Sequence, residues 1–267
     1  MLHLAADGGQ LEAIELAVKS GASLVVKNKE GKSPYQLAQR REKTTEHSRI
    51  SRHKKRRDVH QACSGGRTDI VKVALCYSTS VHDKGKGNNT LLHSACSSGS
   101  YEVATLLLSL GAEVNARNCL DETPLYAACR HGNVDTVRLL LDHGAEDSLS
   151  HGGLTAFHQA CMDGHIEVVR LFIQRGADIH VKVRFDYTAL HMACIEGHED
   201  IVWLLLTHGA DSLAENKMGT TPMDIARMYG HDTLVDLLST QPASSSVLNP
   251  PIAASRSRKG VLSKLFG

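Results

Sequence analysis

A segment of eight residues recurs along this chain at nearly constant spacing. It reads NTLLHSAC at 89–96, ETPLYAAC at 122–129, LTAFHQAC at 154–161, YTALHMAC at 187–194 and TTPMDIAR at 220–227. The threonines at the second position of each copy are separated by 33, 32, 33 and 33 residues, and they are Thr90, Thr123, Thr155, Thr188 and Thr221. The shorter match DVHQAC at 58–63 lies one period upstream. A fixed period of this size is typical of repeat architectures, in which each repeat forms one small structural unit.

The residues between these segments form a second shared pattern. They read GSYEVATLLLSLGAEV, GNVDTVRLLLDHGAED, GHIEVVRLFIQRGADI and GHEDIVWLLLTHGADS. Threonine favours the start of a helix as a cap, proline suits the first helical turn, and glycine favours the helix end. Apolar residues at helical spacing, such as Val134, Val137, Leu140 and Leu141, predict a second helix. Each repeat is therefore predicted to be a helical hairpin followed by a loop. Such hairpins must stack, because one alone cannot bury its apolar face.

These two patterns resemble the ankyrin repeat, which reads TPLHxA, then GH, then a VxxLL helix, then GA and a turn. The resemblance covers most of residues 1–240, with about seven full or partial repeats. It implies an all-α fold: an ankyrin-repeat solenoid of stacked helix-turn-helix units with projecting β-turn loops. Since aromatic residues make up only 4% of the chain, we expect a core of Leu, Val, Ile and Ala.

The regularity of the repeats divides the chain into four predicted regions. Residues 1–39 form a partial block of about one and a half repeats, because LHLAAD at 2–7 matches the middle of a first helix. The chain is then either a shortened product of a longer protein or begins with a frayed end unit. Residues 40–57 are a basic linker or insertion, either irregular or a charged helical extension. Residues 58–240 are the main array, and the Pro- and Ser-rich residues 241–267 are predicted to be a disordered tail.

Histidines and cysteines follow the repeat register, which argues against metal, redox and catalytic sites. Equivalent residues of successive repeats stand about 10 Å apart, too far to share a metal ion or a disulfide. The resemblance implies that the histidines hydrogen-bond threonine and neighbouring loops. The register-matched cysteines are expected to be buried and reduced, and they are Cys63, Cys96, Cys129, Cys161 and Cys194. Only Cys119 falls on a loop tip. With no GxSxG segment or phosphate-binding glycine loop, we expect no enzyme, no cofactor and no small-molecule substrate.

The resemblance also implies where a partner protein binds. Ankyrin proteins use a concave groove formed by the loop tips and by the two variable residues after the Ala-Cys pair. The corresponding candidates in this sequence are Leu120, Arg130, Met162, Asp163, Arg184, Phe185, Ile195, Glu196, Lys217, Met218, Met228 and Tyr229. The alternative is that several of them only pack against neighbouring loops. Trp203 is a further candidate, because two other repeats carry the arginines Arg138 and Arg170 at its position and the position is therefore expected to face solvent. The tryptophan either contacts a partner or lies flat over the aliphatic parts of charged side chains.

Two further sites are predicted outside this groove. The run SRHKKRR resembles a nuclear-import signal through Lys54, Lys55, Arg56 and Arg57; a contact with phosphate or acidic protein, or a solvated linker, is the alternative. Asn115 resembles the ankyrin loop asparagines that an intracellular asparaginyl hydroxylase modifies, and His180 is a weaker candidate at the matching position.

The leading hypothesis is a non-catalytic scaffold or adaptor that binds another protein in the ankyrin groove, as a monomer. One alternative is a nuclear regulatory ankyrin protein, similar to the inhibitors of NF-kappa-B, that masks a transcription factor; another is a substrate-recruiting subunit of a ubiquitin ligase. Nucleic acid is not an expected partner, since the net charge is +1 and no aromatics interleave with the basic run. No long apolar run or signal-peptide pattern occurs, so we expect a cytoplasmic or nuclear protein without membrane contact.

Overall fold

The computed structural model describes residues 2–8, 11–24, 26–34, 36–37, 49–77 and 79–240. These residues contain fourteen α-helices and, apart from an isolated bridge between Lys84 and Thr90, no β-structure. The all-α prediction is therefore confirmed. The chain divides into two compact units, Met1–Ser148 and Leu149–Gly267. The predicted tail, 241–267, and the first part of the predicted basic linker, 40–48, lie outside the described residues.

The first unit consists of helical hairpins that stack in chain order. Its helices are α1 (Leu2–Gly8), α2 (Leu11–Lys19), α3 (Arg49–Ser64), α4 (Thr68–Tyr77), α5 (Leu91–Ser97), α6 (Tyr101–Ser109), α7 (Pro124–Arg130) and α8 (Val134–Asp142). The first helices α3, α5 and α7 pack side by side, and the second helices α4, α6 and α8 do the same. Helix α2 packs directly on α4. The amino-terminal hairpin thus belongs to the same unit as the repeats that follow it.

The second unit repeats this arrangement with three hairpins. Its helices are α9 (Ala156–Met162), α10 (Ile166–Gln174), α11 (Ala189–Glu196), α12 (Glu199–Thr207), α13 (Pro222–Tyr229) and α14 (Asp232–Thr240). Helix α11 packs between α9 and α13, and α12 packs between α10 and α14. Each hairpin covers the apolar face of its neighbour, as the stacking argument requires.

Helix α3 differs from the other first helices in its length. It spans Arg49–Ser64, or 16 residues, whereas its counterparts α5, α7 and α9 have 7 each. Residues 49–57 therefore belong to a helix continuous with the repeat at 58–63, and they are not irregular chain.

Threonine caps set where the first helices begin. In every case the threonine Oγ1 accepts a hydrogen bond from the backbone N–H three residues later, and these caps are Thr90, Thr123, Thr155, Thr188 and Thr221. Where the residue three positions after the threonine is histidine, its imidazole ring also hydrogen-bonds the threonine hydroxyl. His158 Nδ1 lies 2.8 Å from Thr155 Oγ1, and His158 Nε2 donates to the Val181 carbonyl at 3.1 Å. The predicted structural role of these histidines, between a threonine and the following loop, is confirmed.

A second set of histidines ties the second and third hairpins of the second unit to the hairpin before each of them. His198 Nε2 donates to the Met162 carbonyl at 2.9 Å, and His231 Nε2 donates to the Ile195 carbonyl at 3.1 Å. Gly164 and Gly197 allow this approach, since a Cβ at either position would lie within 2.6 Å of the incoming imidazole. The Gly-His pairs of the sequence are thus hairpin-stacking contacts.

The register-matched cysteines lie in the core. Cys63, Cys96, Cys129, Cys161 and Cys194 are buried and free, as is Cys76, while Cys119 is exposed. Burial raises the pKa of the Cys63 and Cys194 thiols to about 12. These thiols therefore stay protonated at neutral pH and serve as small apolar side chains.

Candidate partner-binding surface

The loop tips of the second unit are held in place by backbone hydrogen bonds from one loop to the next. The Arg184 N–H donates to the Gly153 carbonyl at 3.1 Å, and the Lys217 N–H donates to the Phe185 carbonyl at 2.9 Å. These bonds link three successive tips into one row. The side chains that the row carries are therefore positioned before any partner arrives.

Phe185 occupies an unusual backbone conformation at the middle tip. Its φ is 60° and that of Asp186 is 61°, so two successive residues lie in the left-handed region. The turn is closed by hydrogen bonds of 2.8 Å from the Asp186 N–H to the Val183 carbonyl and from the Val183 N–H to the Tyr187 carbonyl. A residue with a Cβ in this region is less stable than glycine by about 1 kcal/mol.

The matching loop of the first unit makes the same turn with residues that tolerate it. Gly87 and Asn88 have φ values of 67° and 60° there. Glycine and asparagine are the usual residues at these two turn positions. The turn itself consequently does not require a phenylalanine, and the ring of Phe185 calls for another explanation.

Exposed apolar side chains accompany Phe185 in the second unit. The exposed fractions are 44% for Phe185, 68% for Met218 and 74% for Met228. The Arg184 guanidinium carbon stands 4.9 Å from the centroid of the Phe185 ring, a cation–π arrangement. Phe185 and Met218 follow one another along the row of tips. Large flexible or aromatic side chains of this kind are typical anchors of protein interfaces.

Two cations flank these apolar side chains. Arg184 precedes Phe185, Lys217 precedes Met218, and both are exposed. Within the part of the chain that the structure describes, neither cation forms a salt bridge. By contrast, Arg227 on α13 pairs with Asp224 at 3.7 Å. The two tip cations are thus available to an external anion. We group the loop-tip residues Arg184, Phe185, Lys217 and Met218 with Met228, at the end of helix α13, and call these five residues the tip surface.

Two predicted binding residues are not on this surface. Met162 and Ile195 are buried, which agrees with the alternative that some of the groove candidates pack against neighbouring elements; a partner contact at these two positions stays a prediction. The following hairpin approaches both residues, since His198 and His231 donate to their backbone carbonyls. Met228 holds the equivalent position in the last described hairpin and is exposed.

The other predicted residues of the second unit lie at intermediate depth. Asp163, Glu196, Trp203 and Tyr229 are half-buried. The carboxylate of Asp163 accepts a hydrogen bond of 2.6 Å from the Gln159 amide. Burial raises the pKa of Tyr229, and the nearby Tyr187 and Glu196 raise it further. Each of these side chains is exposed over a smaller fraction of its surface than Phe185, Met218 or Met228.

Leu120 and Arg130 belong to the first unit. Both are exposed, and Leu120 lies on a loop tip beside Asp121, whose φ is 54°. Arg130 stands 3.6 Å from Glu122 in a salt bridge. The predicted groove residues therefore fall into two sets, and the second unit holds the larger one.

The predicted hydroxylation site bridges two loops of the first unit. Asn115 Oδ1 accepts a hydrogen bond of 2.9 Å from the Glu146 N–H, and its Nδ2 donates to the Gly144 carbonyl at 3.3 Å. His180, the weaker candidate, is exposed in the second unit.

The predicted import run lies on α3. Lys54, Lys55 and Arg56 are within the helix, and Arg57 is exposed.

Two other kinds of site are absent from the residues that the structure describes. The described residues contain no group of three or more His, Cys, Asp or Glu side chains placed to hold a metal ion. Among the same residues, no helix combines the length and apolar character needed to cross a bilayer.

One feature of the surface was not predicted from the sequence, namely the left-handed backbone of Phe185. The signal that could have revealed it is the alignment of Arg184-Phe185-Asp186 with Lys86-Gly87-Asn88, which places phenylalanine where the earlier loop has glycine. Comparing loops position by position would have singled out this tip.

Comparison with known families agrees with the stacked hairpins. The family described as Ankyrin repeats (3 copies) matches residues 46–118, 116–183 and 176–247. These matches cover most of the chain, which therefore belongs to the ankyrin-repeat family. A search of the curated proteins gives no match. Ankyrin repeats are generally protein–protein interaction modules, and the fold is typically a non-catalytic scaffold.

Proposed function

We propose that this protein is a non-catalytic scaffold or adaptor that binds a partner protein through the tip surface of its second unit. The observation that carries the proposal is Phe185, an exposed aromatic residue in a left-handed turn that glycine would form more easily. Unfavourable local conformations that folding does not require are commonly retained for binding.

The row of tips supports a mechanism of preorganisation. Backbone hydrogen bonds fix Arg184 to Gly153 and Lys217 to Phe185, so the loops do not have to be ordered when a partner binds. Binding then loses little conformational entropy beyond that of the exposed side chains. Met218 at the next tip and Met228 at the end of helix α13 add adaptable, exposed apolar area.

The direct test compares the proteins that are captured from cells by the full chain and by a Phe185→Ala, Met218→Ala double variant. The affinity of each captured protein, in purified form, is then measured for the full chain and for the variant. We expect the true partner to bind the double variant at least about tenfold more weakly, as is common for central interface anchors. Tyr101→Ala is the matched control, since Tyr101 is an aromatic residue with 43% exposure on a second helix of the first unit. Partners that bind all three proteins equally would refute the proposal.

The nuclear regulatory alternative depends on the basic run. Changing Lys54, Lys55, Arg56 and Arg57 to alanine should abolish nuclear accumulation if the run is an import signal, which fluorescence microscopy of the tagged full chain measures. Unchanged accumulation would remove that role. The variant leaves the tip surface intact, so the two proposals are tested separately.

A further inference from the structure

The charged and apolar residues of the tip surface follow a repeating order. At two successive tips a cation precedes an apolar residue, as Arg184-Phe185 and as Lys217-Met218. The second pair is tied to the first by the hydrogen bond from the Lys217 N–H to the Phe185 carbonyl. The surface therefore presents the same pair of groups twice, one repeat apart.

Other charged residues lie on the same loops as these two cations. Asp186 is half-buried in the turn that follows Phe185, Glu215 is exposed two residues before Lys217, and Asp211 is exposed and lines a pocket together with Lys182. Lys182, a third cation, donates to the Glu215 carbonyl at 3.2 Å and so links the two loops. Because neither Arg184 nor Lys217 forms a salt bridge within the described residues, both can pair with an anionic partner, and the apolar residues next to them favour a partner that also carries apolar side chains.

The spacing of the repeats selects a conformation for such a partner. Packed helices lie about 8–10 Å apart, and so do equivalent positions of successive repeats. A polyproline II chain has three residues per turn and rises about 3.1 Å per residue, so residues i and i+3 share one face about 9 Å apart. An extended β-strand would place residues i and i+3 on opposite faces. The distance between residues i and i+3 of a polyproline II chain therefore matches the distance between successive loop tips.

We infer that the partner segment is an acidic polyproline II stretch in which an acidic and an apolar residue recur every three residues. Its acids pair with Arg184 and Lys217, and its apolar side chains contact Phe185, Met218 and Met228. This inference rests on the proposed function and specifies the kind of partner that the tip surface accepts. A single-stranded nucleic acid is disfavoured, because only one of these apolar residues has a ring on which a base could stack.

The test uses fluorescence anisotropy of labelled synthetic peptides with the full chain. The probe is a peptide of four Glu-Leu-Pro units. The comparison probes are four Lys-Leu-Pro units, three Glu-Leu-Pro-Pro units and an oligothymidine of similar length. We expect the Glu-Leu-Pro peptide to bind most tightly, and its affinity to fall with added salt because exposed charges are screened.

Charge reversal then identifies the contacts. The Arg184→Glu, Lys217→Glu variant should bind the Glu-Leu-Pro peptide at least about tenfold more weakly and gain affinity for the Lys-Leu-Pro peptide, as expected when like charges face each other. The control is Arg67→Glu, Arg138→Glu, which changes the net charge equally at two exposed arginines of the first unit. It should leave the affinity within about twofold. Circular dichroism confirms that both variants are folded.

Several results would overturn the inference. They are failure of the Glu-Leu-Pro peptide to bind, equal binding by the reversed variant, equal binding of the four-residue repeat, and tighter binding of the oligothymidine. If no acidic peptide binds but captured partners still require Phe185 and Met218, the acidic-segment inference fails and the proposed function stands. If captured partners are indifferent to both residues, the proposed function fails as well.

Discussion

Replacing His158 with glutamine should remove part of the acid sensitivity of the second unit. His158 is fully buried beneath the threonine cap of α9. Desolvation lowers its pKa from 6.5 to about 4, opposed by the hydrogen bond to the Val181 carbonyl. The ring is therefore neutral in the folded protein, with the proton on Nε2 facing Val181 and Nδ1 accepting from the Thr155 hydroxyl.

The size of the effect follows from the two pKa values. In the unfolded chain the imidazole takes up a proton near pH 6.5, while in the folded chain it does so only near pH 4. A lowered histidine pKa means that stability is complete above pH 6.5 and is lost as the pH falls toward 4. Between pH 7.5 and pH 5 the loss due to this one group is about 2 kcal/mol of unfolding free energy.

Urea unfolding at pH 7.5 and pH 5 measures this difference. Trp203 is the only tryptophan and lies in the same unit, so its fluorescence reports unfolding there. His158→Gln should be less stable than the original chain at pH 7.5, yet lose about 2 kcal/mol less between the two pH values. His151→Gln, at an exposed position, should leave the pH dependence unchanged. An identical loss in the His158 variant would refute the reasoning.

Three further outcomes are expected. Leu205→Ala, at a fully buried position of α12, should lower the unfolding free energy by about 2–5 kcal/mol, whereas Leu213→Ala at an exposed position should change it by less than about 0.5 kcal/mol, as urea unfolding would show. A thiol reagent at pH 8 should label only Cys119 in the folded chain and all seven cysteines in denaturant. Labelling of more than one thiol in the folded chain would contradict the burial of the other six cysteines. Mass spectrometry of the Asn115 peptide from cells should show one added oxygen, and an unmodified peptide would remove the hydroxylation prediction.

The parts of the fold that could be predicted from the sequence are those fixed by local interactions. Thr155 caps a helix through an N–H only three residues away, and Gly164 follows the end of that helix with φ of 80°. Such contacts involve residues that are close in sequence. The same residue types therefore recur in each repeat that makes the same contact. The burial of Cys161 follows from the same register, because its position faces the interior in every repeat.

The exposure of individual groove residues could not be predicted in this way. Met162 and Ile195 occupy variable positions, and the sequence carries no direct sign that the following hairpin covers them. The hairpin that approaches them does so through His198 and His231, residues 36 positions further along the chain. The left-handed turn at Phe185 was also missed, because phenylalanine gives no conformational signal where glycine or asparagine would.

The hydrogen bond from the Lys217 N–H to the Phe185 carbonyl involves only main-chain atoms, as does the one from Arg184 to Gly153. Most amino acids can supply such atoms, whatever their side chains. Mutations at the ends of these loops can therefore change recognition while the frame that displays them keeps its geometry. In this protein, ligand choice and architecture can evolve largely independently.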